Sequence, residues 1–215
     1  MTLKLYYHPL ASFCWKALIA LYENDTPFEA ILVDLADPQS AADFKAVWPM
    51  GKFPVLVDTE RDRTVPESSI IIEYLARHFP GPSELVPADP DLARQARLRD
   101  RIFDQYVHEP MQKIVLDNIR PDGMRDPFGV AAARAQLVTA LDMLEEHMAG
   151  QEWALAEGFG LADCAAAPAL FYADKAQPFG RSHPSTMAYL ERLKARPSFA
   201  RVLAEAEPYF AMFPG

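Results

Sequence analysis

The sequence is poor in cysteine, glycine and positive charge. It has two cysteines and nine glycines, and its 21 basic residues are outnumbered by 30 acidic ones. Two cysteines are too few for a disulfide framework and favour reduced thiols, which are typical of a cytoplasmic protein. The acidic balance makes nucleic acid and anionic membrane surfaces unfavourable partners. The 19 prolines are scattered, which excludes a collagen-like repeat.

Long hydrophobic runs are also missing. The longest stretch of low charge, Cys164 to Ala173, is too short to span a bilayer. The first residues have neither the charged nor the apolar segment of a signal peptide. Half of the residues are hydrophobic, which is enough for a sizeable core. We therefore expect a globular cytoplasmic protein.

The pattern of strands and helices divides the chain. Residues 3–7 alternate in the manner of a strand, residues 14–21 have helical spacing, and the mixture continues to residue 80. This order predicts a small α/β domain over residues 1–80. Clustered prolines indicate a linker at residues 81–90. Residues 91–215 show only helical periodicity, which predicts an all-helical domain.

The segment from Ala11 to Cys14 lies between the first strand and the first helix. A helix N-terminus has free N–H groups and the positive end of the dipole, so it stabilises a thiolate. Thioredoxin-like redox proteins place Cys-x-x-Cys here. Ala11 replaces the first cysteine, which removes two-cysteine disulfide exchange. Ser12 either caps the helix or donates its hydroxyl hydrogen to a thiolate that a ligand brings.

Two further segments carry candidate binding groups. Lys52, Phe53 and Pro54 precede a strand, where a cis proline exposes the backbone of the preceding residue for pairing with a peptide. Glu67 and Ser68 open a helix and suit the ammonium and carboxylate of an amino-acid end. The alternatives are an ordinary turn and ordinary helix capping.

In this order, the segments resemble the cytosolic glutathione S-transferase superfamily. The likeness rests on Lys-Leu-Tyr-Tyr-His-Pro, Gly-Lys-Phe-Pro-Val-Leu, Pro-Glu-Ser-Ser-Ile-Ile-Ile-Glu-Tyr-Leu and Leu-Ala-Asp-Cys-Ala. It implies a thioredoxin-like N-terminal domain, a C-terminal helical bundle and a homodimer. Gly160 to Asp163 looks like the buried N-capping box of the family, whose role is in folding.

The resemblance also implies a glutathione site. The γ-glutamyl end of glutathione would meet Glu67 and Ser68. Its cysteinyl backbone would pair with Phe53 before a cis Pro54, and Lys52 would approach its glycyl carboxylate. These assignments come from the likeness to the family.

The thiol activator departs from the family pattern. The activating serine of the serine-type members falls at Ala11, and the functional cysteine of a bacterial type matches Ser12. This leaves Ser12, or the helix N-terminus alone, as the activator. That bacterial type also has an adjacent His-Lys pair. His108 and Lys113 are not adjacent, so the role is not transferred to them.

The expected function is transfer of the glutathione thiolate to a small apolar electrophile. Tyr106, Met111 and Tyr172 are candidate lining residues of the electrophile site. The alternatives are a non-catalytic glutathione- or partner-binding protein, or a glutathione-dependent reductase or peroxidase that would need Cys14 as a nucleophile. The histidines and cysteines lack metal-ligand spacing, so we expect no metal.

Overall fold

The N-terminal part of the chain is a mixed sheet with helices packed on it. The structure is a computed structural model that describes residues 2–121, 123–156 and 158–214. The strands are β1 (Leu3–Tyr7), β2 (Glu29–Leu32), β3 (Val55–Asp58) and β4 (Arg63–Pro66). The helices of this part are α1 (Ser12–Glu23), α2 (Pro38–Val47) and α3 (Ser68–His78).

The sheet brings the three predicted site segments to one edge. Its strand order is β2-β1-β3-β4, with β1 parallel to β2 and antiparallel to β3, and β3 antiparallel to β4. Val55 lies opposite both Tyr6 and Pro66 in the register. The end of β1, the start of β3 and the end of β4 therefore meet at the same edge. Pro54 and Glu67 are the adjacent residues just beyond this last pair of β3 and β4.

The rest of the chain is helical, so the predicted α/β part followed by an all-helical part is confirmed. No helix in the described ranges is long and apolar enough to cross a membrane. The elements are α4 (Pro90–Ile102), a π-helical turn (Phe103–His108), α5 (Glu109–Asp117), α6 (Pro127–Met148), α7 (Leu161–Ala176), α8 (Pro184–Ala195), α9 (Pro197–Ala206) and a final 3-10 helix (Glu207–Met212).

A π-helical turn interrupts the regular α-helix just before Pro110. Proline lacks the N–H that an α-helix needs at that position. Just before it, the N–H of Glu109 donates to the carbonyl of Asp104, five residues back. The wider turn changes which side chains face the first domain. His108 is its last residue.

One hydrophobic core runs through both parts. Trp15 of α1 is fully buried, and its ring centroid lies 5.2 Å from Phe171, 4.8 Å from Tyr172 and 6.0 Å from Phe199. These partners belong to α7 and α9. The first helix is therefore packed by its apolar face onto the helical part, which fixes the position of its N-terminus.

The start of α7 is held by a buried carboxylate. Asp163 accepts hydrogen bonds from the N–H of Gly160 and of Ala154, both at 2.9 Å, and from the hydroxyl of Tyr189 at 2.5 Å. The contact to Gly160 is the reciprocal half of a capping box. The predicted folding role of Asp163 agrees with this geometry.

Candidate active site

A cavity of about 540 Å³ opens where the sheet edge faces α5, α7 and the C-terminal segment. Its size is in the range of small-molecule sites. Its polar side chains come from His8, Ser12, Lys52, His108 and Gln112. The other lining residues are mainly apolar: Leu10, Ala11, Phe13, Leu35, Gly51, Phe53, Met111, Val115, Leu116, Tyr172, Met212, Phe213 and Pro214.

Ser12 is the first residue of α1 and does not cap it. The N-cap is Ala11, which makes no side-chain cap hydrogen bond. The hydroxyl of Ser12 is instead hydrogen-bonded to Nε2 of His108, 96 residues away in the chain. Ser12 is 8% exposed and His108 is 4% exposed. The capping interpretation of Ser12 is therefore wrong.

The imidazole of His108 is neutral at physiological pH. Burial, assisted by the positive charge of Lys16, lowers its pKa to about 4. Its Nδ1 has no hydrogen-bond partner among the described residues. An unpaired buried N–H is rarer than an unpaired acceptor, which favours the tautomer with hydrogen on Nε2. His108 then donates to the Ser12 oxygen, and the hydroxyl hydrogen is free to point into the cavity.

One turn further along α1, a buried charge cluster also joins this helix to the π-helical turn. Nζ of Lys16 lies 2.5 Å from Oδ1 of Asp100 and 2.8 Å from Oδ2 of Asp104. Lys16 follows Ser12 by four residues and Asp104 precedes His108 by four. The two polar contacts therefore fasten α1 to the π-helical turn and α4. This cross-link sets the position of Ser12 relative to His108.

Of the residues predicted to bind glutathione, Lys52 and Phe53 line the cavity. The peptide bond between Phe53 and Pro54 is cis. Neither the N–H nor the C=O of Phe53 takes part in a hydrogen bond within the described chain. The side chain of Lys52 is exposed. The backbone of Phe53 is thus available to a ligand at the cavity wall.

Glu67 and Ser68 lie further along the sheet edge, outside the cavity lining. Glu67 has a φ of 71°, a conformation that costs a non-glycine residue free energy and is concentrated at functional sites. Glu67 is the N-cap of α3 and makes no side-chain cap hydrogen bond, and Ser68 is buried as the first residue of that helix. Burial by itself lowers the pKa of Arg101. The hydrogen bond to Asp100 and the negative charges of Asp104 and Glu67 outweigh burial, so the pKa of Arg101 is raised.

The three candidates for the electrophile site are not brought together. Met111 and Tyr172 line the cavity, and the hydroxyl of Tyr172 donates to the carbonyl of Leu10 at 2.8 Å. Tyr106 is 48% exposed and is not among the described residues that line the cavity. In the π-helical turn, His108 faces inward and Tyr106 faces outward.

Sequence reasoning missed the contact of His108 with Ser12. At this position, only an adjacent His-Lys pair was considered from the sequence. Lys113 does not form such a pair with His108, because its Nζ lies 3.4 Å from Asp126 in an exposed ion pair. The histidine makes the contact without an adjacent lysine. Lys16 was missed as well, although a lysine within the apolar helix 12–23 is a usable sign of a buried ion pair.

Comparison with known proteins identifies the family. The glutathione S-transferase N-terminal domain model matches residues 5–83, and the C-terminal domain model matches residues 127–205. Glutathione S-transferase 3 of Zea mays is 30% identical over 210 residues, which cover 94% of this chain and 93% of that protein.

Solved structures agree with this match. The glutathione S-transferase of Methylobacillus flagellatus with GSH bound has a TM-score of 0.84 and 25% identity, and the match covers 93% of this chain and 98% of that one. The enzyme of Methylobacterium radiotolerans in complex with glutathione sulfonate has a TM-score of 0.81 and 27% identity, with 93% of each chain covered. The chain belongs to the glutathione S-transferase family.

Proposed function

We propose that this protein binds glutathione along the sheet edge, forms its thiolate at Ser12 and transfers the sulfur to a small apolar electrophile in the cavity. The observation that carries the proposal is the buried hydrogen bond between Ser12 and His108 at the N-terminus of α1. It orients a hydroxyl donor towards a cavity whose wall is largely apolar.

The energy required for thiolate formation is modest. A free thiol has a pKa of about 8.5, so only a few per cent is ionised at neutral pH. Each unit by which the pKa falls needs about 1.4 kcal/mol of preferential stabilisation of the thiolate. A hydroxyl hydrogen bond to a charged group contributes about 1.5–3 kcal/mol, and a helix N-terminus contributes about 0.3–1 kcal/mol. Together they lower the pKa of the thiol by about one to three units.

The proposed position of glutathione is based on the unpaired hydrogen-bonding groups along the sheet edge. The free backbone of Phe53 supports pairing with the cysteinyl residue, as in the addition of a strand. Glu67 suits the γ-glutamyl ammonium, and Ser68 suits its carboxylate. The exposed ammonium of Lys52 suits the glycyl carboxylate. The family's glutathione-bound structures support the same ligand for this chain.

Glutathione binding is tested by calorimetric titration of the wild type and of Glu67→Gln and Ser68→Ala. We expect saturable binding to the wild type, about 10- to 100-fold weaker binding to Glu67→Gln, and about 10-fold weaker binding to Ser68→Ala. Glu67→Gln removes the negative charge that faces the ammonium, and Ser68→Ala removes a hydrogen-bond donor to the carboxylate. Glu60→Gln, in an exposed turn, is the matched control and should bind normally. No binding to the wild type at millimolar glutathione would refute the proposal.

A redox function would need an accessible cysteine thiolate. Cys14 and Cys164 are both fully buried, and burial raises the pKa of each thiol. We therefore expect the native protein to react with a maleimide reagent far more slowly than after unfolding in urea. Mass spectrometry of the time course measures this. Rapid labelling of Cys14 that glutathione prevents would instead favour the reductase.

We also propose a homodimer in the cytoplasm. Exposed apolar side chains at Met50, Ile70 and Leu98, from the loop after α2, from α3 and from α4, support an interface between copies of the chain. The absence of a disulfide between the two described cysteines agrees with a reducing compartment. The net charge of −9 disfavours nucleic acid as a partner.

A further inference from the structure

We propose that His8 is the hydrogen-bond donor of the electrophile site and that it favours electrophiles whose carbonyl oxygen gains negative charge as the sulfur attacks. The substrate class is that of α,β-unsaturated ketones. This inference rests on the transferase function proposed above and adds a residue and a substrate preference to it.

The ring of His8 is held in place at the cavity wall. His8 follows β1, is half-buried and lines the cavity. Its Nδ1 accepts a hydrogen bond from the N–H of Leu10 at 3.2 Å. Its ring stacks on that of Phe53, with centroids 5.8 Å apart and an interplanar angle of 18°. These two contacts fix both the position and the rotation of the imidazole.

The same contacts determine which nitrogen carries the hydrogen. Because Nδ1 accepts from a backbone N–H, the neutral ring has its hydrogen on Nε2. Burial lowers the pKa of His8 despite the opposing charge of Asp34, which keeps the ring neutral at physiological pH. No described residue makes a hydrogen bond with Nε2. The N–H of Nε2 is thus an oriented donor without a protein acceptor.

The other polar groups of the cavity have different roles. Ser12 and His108 are hydrogen-bonded to each other, and the proposed function assigns them to the glutathione sulfur. Lys52 is exposed and is assigned to the far end of glutathione, and Gln112 is an exposed side chain of α5. In a mainly apolar wall, a fixed N–H stabilises developing negative charge better than water does. His8 is the group that can do this for the electrophile.

The reaction with an unsaturated ketone balances without a further reactant. The thiolate sulfur forms a bond to the β-carbon, and the electron pair of the carbon–carbon double bond moves towards the carbonyl. The oxygen becomes an enolate, which Nε2–H of His8 stabilises. The proton released when the thiol ionised returns to the α-carbon. Attack on benzyl chloride, by contrast, expels chloride and develops no charge on oxygen.

The test compares these two electrophiles. We would measure kcat/KM for trans-4-phenyl-3-buten-2-one and for benzyl chloride with the wild type, His8→Phe and His8→Gln. Phenylalanine keeps an aromatic ring on Phe53 but has no donor, and glutamine restores an N–H near the position of Nε2. We expect His8→Phe to lower kcat/KM for the ketone by about 10- to 100-fold and for benzyl chloride by less than about threefold. His8→Gln should recover part of the loss for the ketone.

Each other outcome overturns the inference in a distinct way. Equal losses with both electrophiles would mean that His8 only shapes the cavity. A weaker calorimetric affinity for glutathione in both variants would assign His8 to the glutathione site. If the wild type binds glutathione but turns over neither electrophile, the transferase function itself fails, and the role of His8 fails with it.

Discussion

Ser12→Ala is expected to lower kcat for conjugation by about 10- to 100-fold, because the thiolate loses a hydrogen bond worth about 1.5–3 kcal/mol. The affinity for glutathione should change by less than about threefold. The hydroxyl donates to the thiolate, whereas the peptide ligand is held by Phe53, Glu67 and Ser68. The measurement is steady-state kinetics beside calorimetric titration of glutathione. If the variant with bound glutathione shows a lower ultraviolet thiolate absorbance than the wild type, the substitution has raised the pKa of the glutathione thiol.

Variants of His108 separate its positioning role from the chemistry of Ser12. His108→Gln keeps an N–H close to Ser12 and should retain much of the activity, while His108→Phe should approach the level of Ser12→Ala. Because burial holds the pKa of His108 near 4, its protonation should add no acidic limb to the rate profile between about pH 5 and 8. If Ser12→Ala turns over as fast as the wild type, the helix N-terminus alone activates the thiol.

Local patterns were sufficient to predict the segments that form the sheet edge, although not the strand order that brings them together. The alternation in β1 and the prolines before β3 and at the end of β4 mark where each strand begins or ends. Once the strand order is known, Phe53 and Glu67 must lie near the start of α1. These features depend on short stretches of sequence, which is why they were accessible without a structure.

The partner of Ser12 depends on distant packing. His108 lies 96 residues away, and the π-helical turn decides that it faces inward while Tyr106 faces outward. Helical periodicity of 3.6 residues carries no information about an inserted wide turn. The same turn directs Tyr106 away from the cavity that Met111 and Tyr172 line.

Lys16 shows a second limit of sequence reasoning. It lies in a helix that is otherwise mostly apolar, and its side chain is 1% exposed. Its acidic partners, Asp100 and Asp104, belong to α4 and to the π-helical turn of the other domain. A buried charge requires a partner, but the sequence does not say which carboxylates provide it.

Lys16→Met is expected to lower the free energy of unfolding by about 3–5 kcal/mol, because removing one partner leaves the buried carboxylates of Asp100 and Asp104 short of positive charge. Arg101 remains bonded to both, so the charge deficit is one. Lys113→Met removes an exposed lysine 3.4 Å from Asp126 and should cost less than about 1 kcal/mol. Urea unfolding at one protein concentration, with equal m values, measures the difference. Equal stability of the two variants would show that Arg101 alone balances the carboxylates, and that Lys16 does not fasten α1 to the helix bearing His108.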